Sequence, residues 1–303
     1  MRPQFFYPDT PQLPLPDGHR FPAQKYALLR QRLLADGVLR DGDLHASPLA
    51  TRDELTAAHD PAYVDAIADG SVDPAIMADI GLPWSPVLAR RSRATVGGTL
   101  AAARAALSSA SGVSGQLAGG THHAHAARGA GFCTFNDFAV AAEVLLREGA
   151  IDRVAIIDVD VHQGDGNATL LAANPAVFVA SLHGANNYPF DKPLSDLDIA
   201  LPDGTEDRAY SHALCDALNE IGAFRPDLLL MNAGVDPLEQ DRLGRLALTF
   251  DGLYERDRLI LHFAERRGIP LVIAIGGGYA RPIDLTVTAY ANTFRAARDV
   301  FRF

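Results

Sequence analysis

Four short apolar runs in the second half of the chain, each giving way to polar residues, dictate its architecture. Val154-Ala155-Ile156-Ile157-Asp158-Val159-Asp160-Val161 is rich in β-branched residues, as a strand buried in a parallel sheet must be. Val177 to Leu182, Asp227 to Ala233 and Leu271 to Ile275 repeat the pattern. Helical stretches separate several of them, among them Arg208 to Phe224 and Leu253 to Arg267. Strands alternating with helices predict an α/β fold, a single-domain open parallel sheet flanked by helices on both faces. Ligands of such sheets bind beyond the carboxyl ends of the strands. There the sequence places Asp158, Asp160, His162, Asp236 and Tyr279.

The first half adds helices over 23–40, with Tyr26, Leu28, Leu29, Leu33 and Leu34 as the apolar stripe, over Leu55 to Ile67 and over Val87 to Leu107. Residues 1–22 are proline-rich and read as an extended N-terminal arm. Ser108 to Ser114 reads as a linker too short to divide domains, so 1–303 is expected to be one domain. The formal charge is −10, which opposes a phosphate backbone and argues against nucleic-acid binding. An acidic rim would suit a cationic substrate such as a lysine-rich tail or a polyamine. The two cysteines, Cys133 and Cys215, form no CxxC pair, which disfavours a disulfide framework or a thiolate metal site. The N-terminus lacks the apolar stretch of a signal peptide and no window has the length of a membrane span, so a cytoplasmic protein is expected.

Asp158, Asp160 and His162 are spaced by two, which in a strand puts them on one side. Two carboxylates and an imidazole at a buried strand end are costly unless a cation neutralises them. The competing reading is a salt-bridged strand end facing solvent. Asp236 follows another core strand and offers a third ligand. Asp160, His162 and Asp236 then form an oxygen–nitrogen–oxygen set that suits zinc, with iron(II) or cobalt(II) also accommodated. Such a site polarises a carbonyl and lowers the pKa of a bound water. His122 and His123, in Gly119-Gly120-Thr121-His122-His123-Ala124, suit acid–base work if each has a partner to fix its tautomer. Alone they would read as polar loop residues or as metal ligands. Asp158 and Asp165 are carboxylates left over to orient them. Tyr279, after Gly276-Gly277-Gly278, either packs as an ordinary aromatic or donates to a developing oxyanion.

In this order the motifs resemble the histone deacetylase superfamily. The matching stretches are Gly120 to Ala124, Gly131-Phe132-Cys133, Asp158 to Gly166, Ser181-Leu182-His183 and Gly276 to Tyr279. Gln163, the segment Asn232 to Gly244, and His19 to Pro22 with Lys25-Tyr26 look like its class IV branch, which has bacterial members. The resemblance implies the arginase/deacetylase fold and hydrolysis of Nε-acyl-lysine in a protein or peptide. It implies zinc on Asp160, His162 and Asp236. His123, with Asp165, would be the general base. His122, with Asp158, would assist electrostatically and in protonating the leaving amine. Tyr279 would polarise the scissile carbonyl. Gly131, Phe132, Tyr188 and Gly277 would bind substrate, Phe132 and Tyr188 as opposite walls of the channel. A structural potassium would sit near Asp158, Asp160, His162, Ser181 and Leu182, held mostly by backbone carbonyls.

Three alternatives stand beside this reading. Acetylpolyamines or other small amides could fill the same site, although the short Ala68 to Trp84 region leans towards an open mouth. A binuclear manganese ureohydrolase would need aspartates where Gly164 and Gly234 stand. A non-catalytic binding module would have to retain all these residues without using them.

Overall fold

The four apolar runs become the contiguous centre of one all-parallel sheet. The structure, a computed structural model, describes residues 2–303. Among the described residues the strands are β1 (Phe5–Tyr7), β2 (Leu44–Ala46), β3 (Val113–Gln116), β4 (Val154–Asp158), β5 (Val177–Gly184), β6 (Leu197–Leu201), β7 (Leu228–Asn232) and β8 (Leu271–Ala274). Their order across the sheet is β2-β1-β3-β8-β7-β4-β5-β6. The helices are α1 (Lys25–Ala35), α2 (Arg52–Leu55), α3 (Pro61–Asp69), α4 (Pro74–Ile80), α5 (Pro86–Ser108), α6 (Asp137–Arg147), α7 (Asp165–Leu171), α8 (Asp207–Phe224), α9 (Phe250–Arg267) and α10 (Ile283–Phe301). None is long and apolar enough to cross a membrane.

Alternation along the strands sorts their side chains into two cores. Ala155, Ile157, Leu229, Met231 and Ile273 pack with α1, α8, α9 and α10. Val154, Ile156, Leu228, Leu230 and Val272 pack on the other face with α3, α5 and α6. Each buried Leu or Ile is worth roughly 1.5–3 kcal/mol. A strand covered on both faces gains this at every position, which is why these runs lack polar interruptions.

The N-terminal stretch is extended, and its Phe5–Tyr7 segment is a strand hydrogen-bonded between β2 and β3. The expected linker at Ser108 to Ser114 is shorter than read: α5 runs through Ser108 and β3 begins at Val113. The stretch Leu55 to Ile67 is not one helix: α2 ends at Leu55, a turn follows, and Asp60 caps and Pro61 starts α3. In α1 the buried residues are Lys25, Leu29 and Leu33, whereas Leu28 of the expected stripe is 36% exposed. The Asp158–His162 spacing also needs correction. β4 ends at Asp158, so strand alternation does not carry Asp160 and His162 to one side. The chain instead curls, with Asp160 N–H donating to Asp158 Oδ1 and His162 N–H to Asp160 Oδ1.

The sheet positions the site by ending its central strands level. Gln116 and Asn232 each pair with Ala274, and Asp158 pairs with Asn232. The loops after β3, β8, β7 and β4 therefore leave the sheet side by side. Arg256 of α9, fully buried, donates from Nη1 to the carbonyls of Val159 and Gly234 at 3.0 and 2.6 Å. One cation thus ties the loop bearing Asp160 and His162 to the loop bearing Asp236.

Candidate active site

Asp160, His162 and Asp236 come together in a buried cluster whose ligand atoms lie within 4.8 Å of one another. His162 Nδ1 is 2.9 Å from Asp160 Oδ1 and 3.1 Å from Asp236 Oδ2. Burial opposes a charge on His162, but the hydrogen bond to Asp160 and the negative charge of the adjacent Asp236 outweigh it and raise its pKa to about 10. Burial, then the Asp160 charge, raises Asp236 to about 7. The pocket therefore calls for positive charge between two carboxylates. Asp236 Oδ2 is buried without a hydrogen-bond partner, which a divalent cation would satisfy. The donor set fits zinc and its neighbours in softness. Gly277, expected against the substrate, lies deeper. Its N–H donates to Asp160 Oδ2 at 2.6 Å, and a Cβ there would fall 1.9 Å from Asp236 Oδ2. It orients a ligand of the triad and must be glycine.

The loop after β3 supplies two adjacent imidazoles, His122 and His123, with ring centroids 4.0 Å apart and planes tilted by 47°. His122 Nδ1 is 2.7 Å from Asp158 Oδ2, and His123 Nδ1 is 2.6 Å from Asp165 Oδ1. Burial works against a charge on both. At His122 the nearby Asp158 and Asp160 overcome it and raise the pKa to about 9. At His123, burial and the His122 charge prevail over Asp165 and lower it to about 4. A neutral His123 donating from Nδ1 to Asp165 leaves the Nε2 lone pair for the cavity that the ring lines. Asn232 Nδ2 donates to Asp158 Oδ1 at 2.9 Å, and His125 Nε2 reaches Asp165 Oδ2 at 3.1 Å. The sequence reading passed over both residues. Ser181 pairs with Asp158 across β4–β5, and its Oγ is 2.9 Å from His183 Nδ1. Ser181 and Leu182 are thus buried beside Asp158, and the Ser181 hydroxyl keeps a free lone pair after its contact with His183.

Beneath this loop, His59 accepts from Asn136 N–H at Nε2 (2.8 Å) and meets His125 O through Nδ1 at 2.9 Å, a pattern only the neutral ring can make. Burial lowers its pKa from 6.5 to about 4. The unfolded chain therefore binds the extra proton as pH falls below 6.5, and stability is lost from there down towards pH 4. The loss attributable to His59 is about 2 kcal/mol at pH 5. Urea melts at pH 7 and pH 5 should show His59→Gln, which cannot titrate, losing less stability than the wild type by about that amount. Equal losses would remove His59 as the cause.

Tyr279 follows β8 on a turn fixed from three directions. Its N–H donates to Asp241 Oδ2 at 2.6 Å. The single proton of the Tyr290 hydroxyl is shared between the carbonyls of Gly276 and Gly277. Lys25, 1% exposed, donates from Nζ to Gly276 O at 2.8 Å. Its ammonium lies 5.4–5.5 Å from the ring centres of Tyr26, Tyr279 and Tyr290, within cation–π range. Burial, then Asp236 and Asp160, push the Tyr279 phenol well above its usual value, so it remains a donor. Its ring centre is 6.4 Å from that of His162.

Above these groups opens a cavity of about 630 Å³ lined by His123, His162, Tyr279, Gly131, Phe132 and Tyr188. Gly131 (φ 52°) and Phe132 (φ 67°) are both left-handed. For Phe132 this is strained, and its N–H is held by Ile80 O at 2.8 Å. A Cβ on Gly131 would fall 2.6 Å from His123 Cδ2, so Gly131 lets the wall close on the imidazole. Tyr188 meets His123 edge-on at 5.0 Å. Cys133, buried beside the turn, has its thiol pushed well up by burial, which leaves it unreactive. The charged side chains at the mouth are Arg20, Arg128 and Arg245 against Asp79, the opposite of an acidic rim.

Residues 19–294 match the family described as "Histone deacetylase domain". The chain is 42% identical to an uncharacterized protein of Picosynechococcus over 99% of both chains. It is 31% identical to histone deacetylase 2 of Arabidopsis thaliana, over 87% of this chain and 70% of that one. Its fold is like that of a solved HDAC homolog complexed with SAHA, with a TM-score of 0.81 at 24% identity, covering 100% of this chain and 89% of the other.

Proposed function

The chain belongs to the histone deacetylase family, and we propose from that premise that it hydrolyses the amide of Nε-acyl-lysine with a zinc ion held by Asp160, His162 and Asp236. The observation that carries the reading is that His123, held through Nδ1 by Asp165 at 2.6 Å, lines the same cavity as His162 of that triad, together with Phe132, Tyr188 and Tyr279. Bound there, the ion would supply Lewis acidity to the acyl carbonyl and acidify the attacking water. His123 accepts the proton of that water at Nε2, while Asp165 holds its ring and stabilises the imidazolium. His122, charged against Asp158, keeps that second imidazolium from forming early and stands close enough to assist proton delivery to the departing amine. The Tyr279 phenol donates to the oxyanion. No covalent enzyme intermediate is needed. Iron(II) or cobalt(II) would fit the same donors. A structural potassium by Ser181 and Leu182 would rely on backbone carbonyls. Membership of the class IV branch, supported by the Gln163 motif, and a cytoplasmic location complete the reading.

The test is release of free lysine amine from peptides bearing acetyl, butyryl, octanoyl and myristoyl groups, with acetylpolyamines as competitors. Turnover of one or more acyl-lysines by metal-loaded protein is expected. Silence on the peptides with turnover of the polyamines would replace the substrate assignment.

Lys25 deserves a place in this scheme as a positioning residue. Tyr290 has one proton for two carbonyls, so Lys25 secures Gly276 O as one of the three contacts that fix the turn bearing Tyr279. A charge-assisted hydrogen bond is worth about 1.5–3 kcal/mol, so Lys25→Met should lower kcat about tenfold or more with KM little changed. In a Tyr279→Phe background the same substitution should cost much less. Additive losses would assign Lys25 to stability alone.

A further inference from the structure

The cavity mouth and its neighbourhood are cationic on a chain of net charge −10. Arg20, Arg128 and Arg245 face the cavity with Asp79 as the opposing carboxylate. On the far side of Tyr279 an adjoining surface cavity of about 640 Å³ shares Arg20 and adds Arg242 and Arg281 against Asp17. All five arginines are exposed. Arg245 is 3.1 Å from Asp203, and among the described residues the other four have no ion-pair partner. The opening thus concentrates unneutralised guanidinium groups that a protein of this composition has no general surplus of. Their reach is the screening length of about 8–10 Å at physiological salt, so the mouth and not the whole-chain charge governs a bound substrate.

We infer that this mouth selects acyl-lysine flanked by acidic residues, an Asp- or Glu-rich peptide segment, and discriminates against polycations such as lysine-rich tails and polyamines. The inference rests on the acyl-lysine reading for the group that enters the cavity. The arginines come from four separate segments, before α1 and after β3, β7 and β8, so carboxylates on either side of the acyl-lysine can reach a planar guanidinium partner. Each exposed pair contributes little, and two or three acting together amount to roughly tenfold between oppositely charged flanks.

The test compares three peptides sharing a central acyl-lysine, with Glu, Gln or Arg on both sides. Each is assayed for kcat/KM and, separately, for binding by fluorescence anisotropy, which needs no turnover. The expected order is Glu, then Gln, then Arg, spanning about tenfold at low salt and collapsing at roughly 1 M, where the screening length is about 3 Å. Arg128→Glu with Arg242→Glu, both on exposed side chains, should invert the order. Turnover with no dependence on the flanks, or a preference for Arg, would overturn the inference and leave the proposed hydrolysis standing. Ranked binding without turnover of any peptide would do the reverse.

Discussion

Replacing His123 with alanine should lower turnover of an acyl-lysine peptide by about a thousandfold, within the 10²–10⁴ range of a general base, while the protein keeps its metal. The ring hydrogen-bonds to none of the triad. Its centre is 6.0 Å from that of His162, and its own hydrogen bond goes to Asp165 on α7. Removing it takes away the proton acceptor without removing a ligand. Asp165→Asn should cost less than His123→Ala. The amide can present either its oxygen or its NH2 to Nδ1, so only part of the ring population would hold the wrong tautomer. Measured kcat beside metal content decides the matter. Turnover close to wild type in His123→Ala would transfer the base to His122 or to solvent.

Asp236→Asn should have the other large effect, through the metal. Asp236 Oδ2 is the buried oxygen left without a partner, and Asp236 Oδ1 already accepts from Val161 N–H at 2.9 Å. An amide keeps the second contact and spoils the first. Zinc should then bind too weakly to survive desalting, and turnover should fall to background. Stability gives an independent reading. A ligand at a thousand times its Kd adds about 4 kcal/mol to the folded state. Added zinc should therefore raise the Tm of the wild type and leave that of Asp236→Asn nearly unmoved. Equal zinc-induced shifts in the two proteins would place the ion elsewhere.

The strands that frame the site were legible because burial on both faces writes itself as an unbroken apolar run. Val154 to Ile157 and Leu228 to Met231 could hardly be anything else. The three-residue strands Phe5–Tyr7 and Leu44–Ala46 were not legible, because three residues carry no period. Neighbouring strands supply their register. The residues of the triad stood out as polar groups at strand ends, but the reason given for two of them was wrong. Asp160 and His162 lie past the end of β4, in a curled loop braced by Arg256 from a helix almost a hundred residues later. Lys25 shares the buried face of α1 with Leu29 and Leu33, but a lysine at the first position of a helix reads as a charge that reaches back to solvent. Its signals were the Lys25-Tyr26 pair near His19 to Pro22 and its being one of two lysines in a chain that otherwise uses arginine, and neither pointed to a buried contact. The charge of the mouth was misread for a related reason. Arg20, Arg128 and Arg245 are far apart in sequence, and a net charge of −10 conceals their convergence.

The most direct test of the central claim is to strip the protein of metal and titrate zinc back, counting bound ions and released lysine amine together. The account predicts no turnover at zero metal, a rise in proportion to bound zinc, and saturation at one ion per chain. Turnover that ignores metal, or that begins only with a second ion, would contradict it.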